Sequence, residues 1–127
     1  MNIALWALQS LLALAFLAHG WFFLAPPASM VELMNASISP AFRIFIGLAE
    51  VLAAVGLTLP GVTRILPRLI PWAAAGLMIV MIGATVLHLV RGEFSTAATT
   101  VVLLVLLTFV GYMRWKVTPI SPRRAAQ

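Results

Sequence analysis

Four long apolar stretches follow one another along the chain, at about 3–24, 40–59, 69–90 and 96–113, separated by short links rich in proline or charge. A helix needs ~20 apolar residues to cross the hydrocarbon core, and each stretch is close to that length. Backbone N–H and C=O groups cannot go unpaired in lipid, so each stretch is predicted to be a helix. Barrel strands would alternate apolar and polar positions with a period of two, and these segments do not. The expected fold is all-α, an integral membrane four-helix bundle, with residues 1–127 forming one transmembrane domain.

The links carry recognisable boundary chemistry. Pro26-Pro27 is predicted to stop the first helix, since neither residue has a backbone N–H to donate. Ser29-Met30-Val31-Glu32 reads as a capping box that opens a short interfacial helix reaching about Ala36. Ser39 followed by Pro40 supplies an N-cap and a first-turn proline for the second span. Pro60-Gly61 is expected to end that span, and Pro67 and Pro71 to mark the entry of the third. Arg91-Gly92-Glu93 reads as a tight connection that places Glu93 near the positive end of the fourth helix. From Thr118 the chain holds Pro119 and Pro122 and is expected to be a disordered cytoplasmic tail. The first stretch lacks a basic leader and exceeds the ~7–15 apolar residues of a signal peptide, so it is read as a retained helix.

Composition agrees with a lipid environment: hydrophobic residues make up 63% of the chain and charged residues only 9%. Soluble domains carry roughly 25% charged residues. The net charge of +5 raises the question of nucleic acid, but the basic residues flank apolar spans, which is a topology signal and an attraction to anionic lipid heads. Nucleic acid is therefore not an expected partner; the lipid bilayer is. With four spans, both termini share a side with the loop holding Arg64 and Arg68. That side also takes Arg114, Lys116, Arg123 and Arg124, leaving Arg43 and Arg91 opposite. The positive-inside rule then places both termini in the cytoplasm of a bacterial inner membrane. Trp6, Trp72 and Trp115 fall near the inner interface and Trp21 near the outer one.

This orientation gathers the remaining ionisable groups, His19, Arg43, Glu50, His88 and Arg91, in the outer half of the bilayer. Arg43, Gly47, Glu50 and Ala54 share one helical face, as do Gly76, Val80, Ala84 and His88. Small residues on such faces let helices approach closely and place polar side chains in the seam. Glu50 is expected to point into the bundle, toward His88 or His19, because a charged carboxylate facing lipid costs several kcal/mol, on the order of 3. The candidate binding residues are Glu50, His88, Arg43 and His19. Plainer roles stand beside this one. Arg43 and Arg91 would snorkel to the headgroups, His19 would sit at the interface beside Trp21 and Phe22, His88 would bond a carbonyl, and Glu50 would lock helices together.

The central half of the chain resembles the DoxX-like family of small four-helix bacterial membrane proteins. The matching residues are Arg43-x3-Gly47-x2-Glu50, then Gly56-Leu57 before Pro60, and Ala74-Ala75-Gly76. Met81-x-Gly83-Ala84-x3-His88 and the Arg91-Gly92-Glu93 turn complete the set. The resemblance implies an association with membrane redox systems, including quinone-reducing thiosulfate oxidation and oxidative-stress complexes, or with assembly of other membrane proteins.

Function classes follow. An accessory or ligand-binding protein, holding a quinone or lipid-like ligand or docking a protein partner or a second copy of itself, fits the polar set best. The alternative is a quinone-linked subunit of a membrane redox complex, with a histidine bonding a quinone carbonyl and Glu50 moving protons. Haem held by His19 and His88 is the weaker form of that idea. A proton-coupled exporter with a single membrane-embedded Glu is a further class. The chain contains no Cys and no Asp, so a Ser-His-Asp triad and thiolate sites are excluded. A metal site of His19, Glu50 and His88 has no two ligands at helical spacing on one element.

Overall fold

A computed structural model describes residues 2–124. Its helices are α1 (Asn2–Leu24), α2 (Ala28–Ser37), α3 (Pro40–Thr63), α4 (Leu69–Val90) and α5 (Phe94–Tyr112), and a π-helical extension, Met113–Val117, follows α5. The chain is an all-α four-helix bundle of the kind that crosses membranes. Four helices are long and apolar enough to span, and α5 reaches that length together with its extension. α1 packs on α3, α3 on α4 and α4 on α5, while a smaller contact between α5 and α1 closes the ring. Leu5, Leu12, Phe16, Leu57, Ile70, Leu77, Leu107 and Val110 fill the interior. Large apolar side chains such as Ile79, Leu52, Val86 and Val105 face outward, an arrangement that only lipid satisfies.

Most boundaries obey local rules. α1 stops before Pro26-Pro27, and the Oγ of Ser39 accepts the N–H of Phe42 at 3.3 Å as the N-cap of α3. Gly92 turns the chain between α4 and α5 with φ of +73°, a conformation that glycine adopts at no steric cost.

Four expectations need correction. The short helix begins at Ala28, one residue before Ser29, with Pro27 as N-cap and no side-chain cap. Pro27 already fixes an extended entry into the helix, so the capping box is not used. Pro60 does not end α3, which continues to Thr63. A proline in the last turn forfeits one backbone bond without removing the turn. On α4 the buried face is Ile70, Ala74, Leu77 and Met81, while Gly76 and Gly83 look outward, and a methyl group added at either would meet nothing within 4 Å. Of the expected small-residue stripe, Val80 and Ala84 pack partly against the core while Gly76 turns away from it.

The fourth correction concerns the tail. Over Thr118–Arg124 it lies back against the α3–α4 loop: the Arg123 N–H donates to the Arg64 carbonyl at 2.8 Å, and the Arg64 Nε–H donates to the Ser121 carbonyl at 3.0 Å. Its two prolines favour an extended strap that the loop can pair with. The last three residues of the expected tail lie outside the described residues.

The tightest contact joins α1 to α3. A methyl group on Gly20 would lie 2.9 Å from the Gly47 carbonyl oxygen, and one on Gly47 would lie 2.9 Å from the Gly20 carbonyl oxygen. Gly47→Ala should thus destabilise by about 1–3 kcal/mol despite the better helix propensity of alanine. Gly76→Ala should be neutral or stabilise by up to about 1 kcal/mol. Thermal unfolding in mild detergent tests whether the two shifts have opposite sign.

Candidate functional site

The face of α3 turned toward α1 carries Arg43, Gly47, Glu50, Ala54 and Leu57, all buried and spaced by four and three residues. The opposing face of α1 carries Leu12, Ala13, Phe16 and Gly20. Because the two backbones meet at Gly20 and Gly47, the neighbouring His19 is close enough to reach across the seam. Its Nδ1 stands 2.6 Å from Glu50 Oε2, and its ring rests on Phe23 at a centroid distance of 4.4 Å. Glu50 is fully buried, whereas the His19 side chain is 51% exposed. The hydrogen bond joins a group inside the seam to a group at its edge. A partner for the carboxyl limits the cost of burying it in a low-dielectric interior.

Two atoms of this site have no partner among the described residues: Glu50 Oε1 and Arg43 Nε. Both are buried, and each retains capacity for a further hydrogen bond, the carboxyl oxygen as acceptor and the Nε–H as donor. Arg43 does not pair with Glu50. Its Nη1 donates to the carbonyl of Phe23 in the last turn of α1. A guanidinium there satisfies an otherwise free carbonyl and meets the negative end of the helix dipole. Arg91 plays the same part for α2, donating through Nη2 to the Ser37 carbonyl at 2.5 Å. Both arginines therefore cap helix ends.

His88 is the candidate that the structure separates from the others. Its Nδ1 meets Glu93 Oε2 at 2.5 Å across the α4–α5 turn, and the Glu93 side chain is 46% exposed. Of the two partners expected for Glu50, His19 occupies the position and His88 is engaged elsewhere. The expected four-residue cluster is thus a half-buried pair, His19–Glu50, with Arg43 two turns away along α3, and a separate pair nearer the surface, His88–Glu93.

A second polar cluster, at the opposite end of the bundle, was not foreseen from the pattern of residues. Gln9 is fully buried on α1; its Nε2 donates to the Leu57 carbonyl of α3 and its Oε1 accepts from Arg114 Nε at 2.8 Å. Arg114 Nη1 also donates to Asn2 Oδ1 at 2.9 Å and to the Thr118 carbonyl at 3.2 Å. The guanidinium lies 5.0 Å from the centre of the Trp6 ring. The signal was present: Gln9 lies four residues from Leu5, and Arg114 follows Leu107, Val110 and Gly111 on one helical face.

His19→Ala should strand the Glu50 carboxyl in the seam and cost about 1–3 kcal/mol. His88→Ala, which breaks a pair at the surface, should cost about 0–1 kcal/mol. Comparing their unfolding midpoints in detergent distinguishes a buried pair from an exposed one.

A profile of the DoxX-like family matches residues 7–110, nearly the whole chain. No curated protein and no solved structure matches it.

Proposed function

The chain belongs to the DoxX-like family, and we propose that it acts there as an accessory, ligand-binding membrane protein rather than as a stand-alone enzyme. The observation that carries this reading is the His19–Glu50 pair. A fully buried carboxyl with a free oxygen is coupled to an imidazole at the edge of the α1–α3 seam. Ionisable residues at membrane depth are costly, and a costly group held in place by a close glycine contact suggests a task. The ligand class is a lipid-like molecule with a hydrogen-bonding head, met by His19 from the lipid side. In this reading the pair lies in the outer half of a bacterial inner membrane, with both termini in the cytoplasm, as the distribution of basic residues supports.

The second reading is a quinone-linked subunit of a membrane redox complex. With Nδ1 engaged by Glu50, His19 has Nε2 left to face a ligand carbonyl, and the buried carboxyl behind it can supply or take a proton. A quinone would accept a hydrogen bond at His19 and supply the redox chemistry itself. His19, Glu50 and Arg43 are the residues that would position its head. His88, occupied by Glu93, supports no part of that site.

Purification in mild detergent followed by mass spectrometry of co-purifying small molecules tests both readings. The wild type and a His88→Ala variant should carry the same molecule, and a His19→Ala/Glu50→Gln double variant should lose it. A quinone among the lost species selects the redox reading. Equal loading in all three proteins would show that the pair serves helix packing alone.

A further inference from the structure

The cluster around Arg114 has a property that helix packing does not explain. Arg114 is only 4% exposed, and its partners, Gln9, Asn2 and the Thr118 carbonyl, are all neutral. Its Nη2 is buried with no partner among the described residues. The three acidic side chains of the chain lie elsewhere: Glu32 on α2, Glu50 in the α1–α3 seam and Glu93 at the α4–α5 turn. Burying a cation with no counter-charge among the described residues is costly, so the arrangement calls for an anion.

A space for one adjoins it. A cavity of 560 Å³ is lined by Asn2, Trp6, Arg64, Arg114, Ser121 and their neighbours on the tail strap. Arg64 brings a second guanidinium to this wall. It occupies a left-handed backbone position, φ of +57°, where glycine is usual, and Leu66 two residues on is also left-handed at +50°. The π-helical extension Met113–Val117 closes with the Thr118 N–H on the Met113 carbonyl at 2.7 Å and carries Arg114 at its widened turn. Depth is set by tryptophan. Trp72 and Trp115, both well exposed, pair at 6.4 Å at this end of the bundle, the level at which indoles meet lipid headgroups.

We propose that this cavity is a phosphate-binding site, with the Arg114 and Arg64 guanidinium groups on its wall as donors and Asn2 and Ser121 beside them. Planar guanidinium groups match phosphate oxygens with paired hydrogen bonds, which suits a phosphodiester at headgroup depth and a free phosphate alike. The site is independent of the His19–Glu50 pair, which lies toward the other end of the bundle.

Thermal unfolding of the delipidated full chain in a nonionic detergent is the test. Phosphatidylglycerol, inorganic phosphate, and a galactolipid with the same acyl chains are titrated separately at one ionic strength. Stabilisation by phosphatidylglycerol alone assigns a lipid headgroup, and stabilisation by inorganic phosphate alone assigns the free ion. A response to both assigns the phosphate group without regard to its source. No response to either, or an equal response to the galactolipid, overturns the site. Arg114→Gln should abolish the response, but that residue also ties Gln9 to Asn2 and the variant can fail to fold. Arg64→Gln avoids this difficulty and should weaken the apparent affinity about tenfold. An affinity unchanged in Arg64→Gln overturns the assignment of the second donor and, with it, the proposed site.

Discussion

Everything else in the bundle is arranged around the approach of two backbones at Gly20 and Gly47. Lipid gives apolar helices no reason to leave it, so association in a membrane rests on close van der Waals packing and on polar groups that find partners only inside. The glycine contact supplies the first of these and sets up the second. It draws α1 and α3 together until His19 reaches Glu50 at 2.6 Å, and it carries the end of α1 to within reach of Arg43. A wider seam would leave the Glu50 carboxyl without a partner and the Phe23 carbonyl uncapped.

Polar groups are distributed so that each end of the bundle solves its own electrostatic problem. Toward the α2 end, guanidinium groups sit on the free carbonyls of α1 and α2, and two imidazoles each take a carboxylate. At the terminal end, no side-chain carboxylate is present among the described residues, and a buried arginine is held by amides and an indole ring. Among the described residues, the first arrangement is complete except at two buried atoms, while the second leaves a cation without a counter-charge. That contrast is why the two sites invite ligands of different character.

Much of the architecture was legible because it follows from hydrocarbon thickness and backbone chemistry. Apolar length located four spans, and the period of the polar residues on α3 placed Arg43, Gly47 and Glu50 on one buried face. The choice of partner for Glu50 was not legible, since it depends on which helix lies beside α3 and at what height. Neither follows from periodicity along a single helix. His88 was misplaced for the same reason, its true partner being five residues away in its own turn. Arg114 was overlooked because it stands among basic residues that signal topology, and Gln9 because a neutral amide in an apolar run attracts no notice. Both lie on faces that the helical repeat marks as inward.

The strap from Thr118 to Arg124 links the end of the chain to Arg64, which belongs to a loop laid down between the second and third spans. During synthesis that loop exists long before its partner does. The strap leaves the ribosome after all four spans, and it can seat itself only once the fourth helix and its π-helical extension have formed. The wall of the cavity is therefore completed only after the fourth span is in place, although the loop that forms one side of it is made before the third.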